Sequence, residues 1–408
     1  MEKYSLNITK DSYNVKFVDE KTNSYKSKFH FFLPENSSVN YCNIEDVNTN
    51  ENFYYVIQYF IMYNDCIDNN QLIKFSDEVK NAITHKNLKI IFFEPHESPY
   101  DLEQFVYKLK NTIKINNWKE ENFYIIDNNS FIYKIKEKTN SKINFYKINA
   151  LLRMIGGMMK LNPVREDICF DKKFIFLCQN RGPHNHRISL LTHLKSLKLL
   201  EDDITDWSWV VTPGENSKRI QTTQHLKKYI EPNNKILIKN YLEIVNQKKL
   251  GFYEQNVDWF DRLEYYTQTE HLTLDSFKNS YINIVPETRF EYTENNMHIT
   301  EKTFKPFYYF QIPIFLAQHN HIKTLREEYD FYLFDDLIDH SYDNEPDDTK
   351  RFNMVVNEIN RLSNMRDEIN LYYKDNVDKL FQNYNYIKTY PNQRIEENYF
   401  FNLINENK

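Results

Sequence analysis

Apolar residues recur along this chain with two periods, and the switching between them lays out its architecture. Phe75 to Thr84 spaces Val79 and Ile83 for one helical face, and Leu88 to Phe93 (LKIIFF) is a short unbroken apolar run suited to a buried strand. Asp101 to Asn117 repeats Leu102, Phe105, Val106, Leu109 and Ile113 at helical spacing, and Phe123 to Ile126 predicts the next strand, ending at Asp127-Asn128-Asn129. Further on, Lys173 to Cys178 (KFIFLC) is another strand, followed by a polar loop from Gln179 to Arg187 and a helix from Ile188 to Leu200 through Leu190, Leu191, Leu194 and Leu197. The same order returns in Ser280 to Ala317. Tyr281 to Val285 reads as a strand ended by Pro286-Glu287-Thr288, and Thr300 as the N-cap of a helix carrying Phe304, Phe307 and Phe310. Pro306 falls early in that helix, and Pro313 to Leu316 is the next strand. Strand, loop and helix at these lengths predict parallel sheets covered by helices, an α/β fold.

Other stretches are patterned less clearly. Lys16-Phe17-Val18 and Phe29 to Leu33 are candidate strands, and Glu51 to Tyr63 fits either a strand or a helix. Asp206 to Val211 reads as a strand or a sheet edge, and Phe352 to Leu380 as one long helix through Val355, Val356, Ile359, Leu362 and Ile369. Asn149 to Leu161 holds two of the chain's 5 glycines and fits a helix broken at Gly156-Gly157, or a hinge. Pro163 to Asp171 reads as a linker, which sets a domain boundary near residue 166.

Composition narrows the classes. The 408 residues suffice for two domains, and 41% hydrophobic with 27% charged residues is globular rather than disordered. A net charge of −6 argues against a dedicated nucleic-acid binder, although Lys218 to Lys249 is locally basic, as a solvated helical face or an acidic-ligand footprint. Cys42, Cys66, Cys169 and Cys178 form no C-x-x-C pair, so reduced thiols are expected. The polar N-terminus does not read as a signal peptide and no apolar run reaches membrane-spanning length, so a soluble, cytoplasmic protein is expected.

Candidate chemistry gathers after the strands. Ligands of parallel α/β sheets lie beyond the carboxyl ends of strands, which points Glu94, His96, Glu97 and Asp127 at a cleft. The loop before Ile188 holds Arg181, His184, His186 and Arg187. With no carboxylate or cysteine beside them, the histidines make a poor metal site, and a cationic loop at a helix start suits an anion or diphosphate. Glu287 and Glu301 would sit at a strand tip and a helix start, where a carboxylate accepts from ribose hydroxyls while helix N–H groups and Lys302 face a diphosphate. The acidic pair Asp335-Asp336 lacks the strand setting of a metal motif, it and Asp202-Asp203 being the metal candidates should transfer require Mg²⁺ or Mn²⁺, and no G-x-G-x-x-G occurs.

On Val285-Pro286-Glu287, Ile299-Thr300-Glu301-Lys302 and Ile312-Pro313-Ile314-Phe315-Leu316, the chain resembles the donor-binding core of nucleotide-sugar glycosyltransferases of the two-domain GT-B type. It is similar in particular to the α1,3-fucosyltransferases and related bacterial, phage and viral transferases. It departs from them at Thr288-Arg289, where Asn or Ser follows the first Glu, and at Phe310-Gln311, where a small residue precedes the last strand. The resemblance implies two Rossmann-like domains facing a central cleft: an acceptor-side domain over residues 1–165, a donor domain over 166–384, and a segment, 385–408, packing back on the first. It matches Arg187 to a diphosphate-contacting arginine; Arg181 has no clear counterpart. The expected donor-binding set is Arg187, Arg181, Glu287, Thr300, Glu301 and Lys302.

The expected function is transfer from a nucleoside-diphosphate sugar, as co-substrate, to a glycan or other hydroxyl acceptor, without a metal or bound cofactor. Glu97, then Glu94, with Asp127 in reserve, are the candidates for the base that deprotonates the acceptor if the reaction inverts the anomeric centre. Two alternatives stand beside this: a DNA-modifying transferase whose acceptor is a hydroxylated base, and a non-enzymatic carbohydrate- or nucleotide-binding protein on a degenerate scaffold.

Overall fold

Among the described residues, two all-parallel sheets organise the chain, one of six strands and one of four. The computed structural model describes residues 4–9, 18–19, 24–25, 37–58, 73, 75–94, 102–127, 131–147, 168–181, 184–201, 203–210, 228–246, 274–291 and 297–393. The chain divides into two compact units, one of residues 1–158, 293–298 and 390–408, the other of residues 159–292 and 299–389.

In the first unit β1 (Tyr4–Thr9) is followed by a two-stranded antiparallel pair, β2 (Val18–Asp19) and β3 (Ser24–Tyr25), then by β4 (Ser37–Cys42) and β5 (Phe53–Gln58). Next come α1 (Asp77–His85), β6 (Leu88–Glu94), α2 (Leu102–Ile115), β7 (Phe123–Asp127), α3 (Ile132–Lys138) and β8 (Asn144–Lys147). The sheet runs β4-β1-β5-β6-β7-β8, so strand order reverses between β1 and β5. Phe53, Tyr55, Ile57, Ile90, Phe92 and Ile125 pack with the apolar faces of α1, α2 and α3. The alternate residues Tyr54, Ile91, Tyr124 and Ile126 are buried too. Burial on both faces explains why LKIIFF and FYII read as unbroken apolar runs rather than alternating ones.

The second unit begins with β9 (Phe174–Arg181), α4 (Asn185–Ser196), β10 (Thr205–Val210), α5 (Lys235–Val245), α6 (Leu274–Lys278) and β11 (Ser280–Pro286). It continues with α7 (Glu301–Tyr308), β12 (Ile312–Leu316), α8 (His321–Glu328), α9 (Asp348–Ser363), α10 (Arg366–Asp375) and α11 (Val377–Gln393). The sheet order is β10-β9-β11-β12, with the reversal between β9 and β11. Inside the sheet Gln311 accepts from Asn283 at 2.8 Å and donates to the Ser280 carbonyl, a satisfied polar bridge between β11 and β12.

Several expectations change. Glu51 to Tyr63 contains a strand, Phe53–Gln58, with its last residues outside the described set. Phe29 to Leu33, Asn149 to Leu161 and the linker up to residue 167 also lie outside it. The single helix over Phe352 to Leu380 is instead three: Asn364 and Asn376 close α9 and α10, asparagine being a common helix terminator because it tolerates non-helical backbone. β9 extends through Asn180 to Arg181, and α4 begins at Asn185, three residues before the predicted Ile188. That moves Arg187 from the loop into the first turn of α4. Pro306 stands in the second half of α7, which ends two residues later at Tyr308. Among the described residues no helix is long and apolar enough to cross a membrane.

Candidate functional site

The crevice position of an α/β sheet is where strand order reverses, beyond the carboxyl ends of the two strands involved. In the second unit these are β9 and β11, and the chain leaves them into α4 and toward α7. Arg187 and His186 start α4, Glu287 follows β11, and Thr300, Glu301 and Lys302 start α7. Topology therefore gathers most of the predicted donor-binding set at one switch point. Arg181 ends β9 at the same rim, and only its backbone is described.

Glu287 is bonded through its backbone and its side chain alike. Its N–H donates to the Leu316 carbonyl on β12 at 3.1 Å, and its carbonyl accepts from His186 Nε2 at 2.7 Å. Its carboxylate, 0% exposed, accepts from Thr288 N–H (3.1 Å), Thr300 N–H (3.2 Å), Thr300 Oγ1 (2.8 Å) and Thr303 Oγ1 (2.5 Å). These four donors among the described residues match the acceptor capacity of a carboxylate. The ribose-facing role expected of Glu287 thus meets a side chain engaged within the protein.

Glu301 and Lys302 are the part of this cluster that reaches solvent, with side chains 33% and 30% exposed. Lys302 Nζ lies 3.1 Å from Glu301 Oε1 and within 3.4 Å of the Thr288 and Thr300 hydroxyls. Burial works against ionisation of Glu301, but Lys302 and Lys305 prevail and hold its carboxyl at about 2. Thr300 caps α7 as predicted, accepting from Lys302 N–H at 3.3 Å.

Two histidines brace the site from beneath. His186 is buried and stacked on Phe290 at 5.6 Å. Burial, then the Arg187 and His184 charges, push its pKa well below the usual value, so the neutral ring donates through Nε2 to the Glu287 carbonyl. His321, on α8, contacts Thr303 Oγ1 at 3.2 Å. Burial lowers its pKa against the pull of Glu287 and Asp343. Because the Thr303 proton goes to Glu287, His321 must donate through Nε2. Arg187 is itself buried, and its charge reaches Cys178, whose thiol burial nonetheless pushes up to about 12.

Behind the site, Arg351 fixes the loop that follows Glu287. This buried guanidinium donates to the carbonyls of Ala317 (3.2 Å), Phe290 (2.7 Å) and Glu345 (2.9 Å), pairs with Asp348 at 2.7 Å, and lies 4.5 Å from the centre of the Phe290 ring. Lys228 bridges Glu291 and Asp348 at 3.0 and 2.8 Å nearby.

The predicted catalytic residues belong to the first unit. Glu94 ends β6 and Asp127 ends β7, and the two are register partners on adjacent strands. Asp127 is fully buried, whereas only the backbone of Glu94 is described, and Glu97 and His96 lie outside the described residues. Asp335 pairs with Arg326, and Asp336 accepts from Tyr332 and Tyr372. Among the described residues no group of three or more metal-ligating side chains converges.

Thr303 and His321 carried no site expectation from the sequence, and His186 was marked only as part of a cationic loop. Thr303 had a local signal, one helical turn after Thr300 and facing the same carboxylate, whereas His321 is brought in over 18 residues by the α7–β12–α8 path with no periodic trace. No protein-family model, curated protein or solved structure matches this chain.

Proposed function

We propose that the chain is a glycosyltransferase of the GT-B type, moving a sugar from a nucleoside diphosphate to a hydroxyl acceptor. The observation that carries the reading is the gathering of two cationic helix starts, Arg187 on α4 and Lys302 on α7, at the switch point of the second sheet, with the partly exposed carboxylate of Glu301 beside Lys302. A diphosphate is matched by two cations and two helix N-termini, and a carboxylate at the lip suits the vicinal hydroxyls of a ribose. In this reading Glu301 takes the hydroxyl-accepting role, and Glu287 supports it. The resemblance over Ser280 to Ala317 points the same way.

Chemically, the acceptor oxygen forms a bond to the anomeric carbon as the bond from that carbon to the diphosphate breaks. The acceptor proton goes to a base, and both bonding electrons leave with the diphosphate. Arg187 and Lys302 stabilise the charge that develops on the leaving group. The base is assigned to the carboxylates at or just beyond the ends of β6 and β7 in sequence, with Glu97 ahead of Glu94 and Asp127.

The test is titration of the purified protein with a panel of nucleotide sugars, followed by the same titration of Lys302→Ala. A charge-assisted bond to phosphate contributes about 1.5–3 kcal/mol, so the variant is expected to bind about tenfold or more weakly while keeping its fold. Equal affinity in a folded Lys302→Ala protein overturns the assignment.

A further inference from the structure

We propose that Glu287 is the positioning residue that sets Arg187 and Lys302 in fixed relation to each other, so that the crevice meets a diphosphate without rearranging. The proposal rests on reading that crevice as a diphosphate site. Arg187 and Lys302 belong to helices that leave different strands, and neither helix sets the place of the other by chain continuity. Residue 287 bonds to both starts. Its carbonyl holds His186, the residue before Arg187, and its carboxylate holds Thr300 and Thr303, which flank Glu301 and Lys302. Its N–H meanwhile keeps it on β12. Backbone and side chain of one residue thus reach a strand and two helices.

The chemistry of the side chain is specific to that task. Four donors converge on one buried group: two N–H and two hydroxyls. A carboxylate accepts all four, whereas a glutamine offers one acceptor oxygen and turns two N–H donors toward donors. Replacing Glu by Gln therefore preserves size and removes the geometry of the first turn of α7. Sites whose charged groups are held before the ligand arrives bind it without the cost of ordering them.

Two measurements test this, on Glu287→Gln and on the shape-conserving Thr303→Val, which removes one of the four donors and serves if the first variant fails to fold. Amide hydrogen exchange, read without any ligand, is expected to quicken at Thr300 and Lys302 while the β12 amides stay protected. Protection at Thr300 and Lys302 equal to the wild type overturns the proposal. Calorimetric titration with UDP, GDP and pyrophosphate is expected to show at least tenfold weaker binding for Glu287→Gln and about threefold weaker for Thr303→Val. In a Lys302→Ala background the loss is expected to shrink to less than twofold, because the group being positioned is already gone. Full additivity with Lys302→Ala, which general loosening of the fold would give, overturns the positioning role. If the wild type binds none of the three probes, the diphosphate reading fails, and exchange alone then decides whether Glu287 holds the helix starts.

Discussion

At the scale of single residues, the second unit buries charge in two different ways. Glu287 and Arg351 are both almost fully enclosed, and each is surrounded by groups of matching hydrogen-bond character. Lys172, 6% exposed, is not so provided. Its amine donates to the Lys278 carbonyl at 2.8 Å and rests 4.8 Å from the Tyr373 ring centre, with no carboxylate in salt-bridge range among the described residues. Burial lowers its pKa to about 7, against an opposing pull from Cys169. The sign of the resulting pH effect is fixed by linkage. Between pH 7 and the unfolded value of 10.5 the unfolded chain holds a proton that the folded chain has released, so this group makes stability rise with pH across that window. Its limiting contribution is about 1.4 kcal/mol per pH unit. Urea unfolding of the wild type and Lys172→Met at pH 7.5, 8.5 and 9.5 is expected to show the steeper rise in the wild type. Parallel curves would show that Lys172 does not titrate there. Residue-level chemistry was partly legible beforehand: Thr300, Glu301 and Lys302 were marked by their place at a helix start. The engagement of Glu287 was not, because three of its side-chain partner bonds come from Thr300 and Thr303, across a loop whose path no local pattern records.

At the scale of elements, strands buried on both faces and amphipathic helices were readable because their patterns are local. β8 was missed, its four residues being too short to show a period, and the breaks at Asn364 and Asn376 were missed because apolar spacing continues across them. The turn from α7 to β12 shows a tertiary contact overriding a backbone preference. Phe310 sits at φ 55°, in the left-handed region that favours glycine, where a small residue would be expected. Its ring is held against Phe381 and Tyr384 at 5.0 and 4.7 Å, and its carbonyl accepts from Tyr373 at 2.6 Å. Both Phe310→Ala and Phe310→Gly lose that packing and are destabilised, by about 3–5 kcal/mol. Their order is the informative part. Within a helix alanine exceeds glycine by about 1 kcal/mol, whereas here Phe310→Gly is expected to be the more stable of the two, by a comparable margin. Chemical denaturation of the pair checks the sign.

At the scale of the whole molecule, the proposed function assigns the binding charges and the base to different stretches of the chain. This gives a separable expectation. Glu97→Gln is expected to lower turnover at least about a hundredfold, as loss of a general base does, while nucleotide-sugar affinity stays as in the wild type. Lys302→Ala is expected to weaken affinity and, because Lys302 also stabilises the leaving charge, to lower turnover as well. Near-full turnover in both Glu97→Gln and Glu94→Gln moves the search for the base to Asp127, the register partner of Glu94. The guanidinium of Arg351, finally, bears on when the site forms as well as how. Its carbonyl partners lie at Phe290, Ala317 and Glu345, and it follows all three along the chain. During synthesis from the N-terminus the segments bearing Arg187 and Glu287 emerge first, yet the loop beyond Glu287 gains this anchor only after residue 351 has left the ribosome. A nascent chain halted before that point would carry every charge of the crevice without the clasp that closes it, making maturation of the site a late event in the life of the polypeptide.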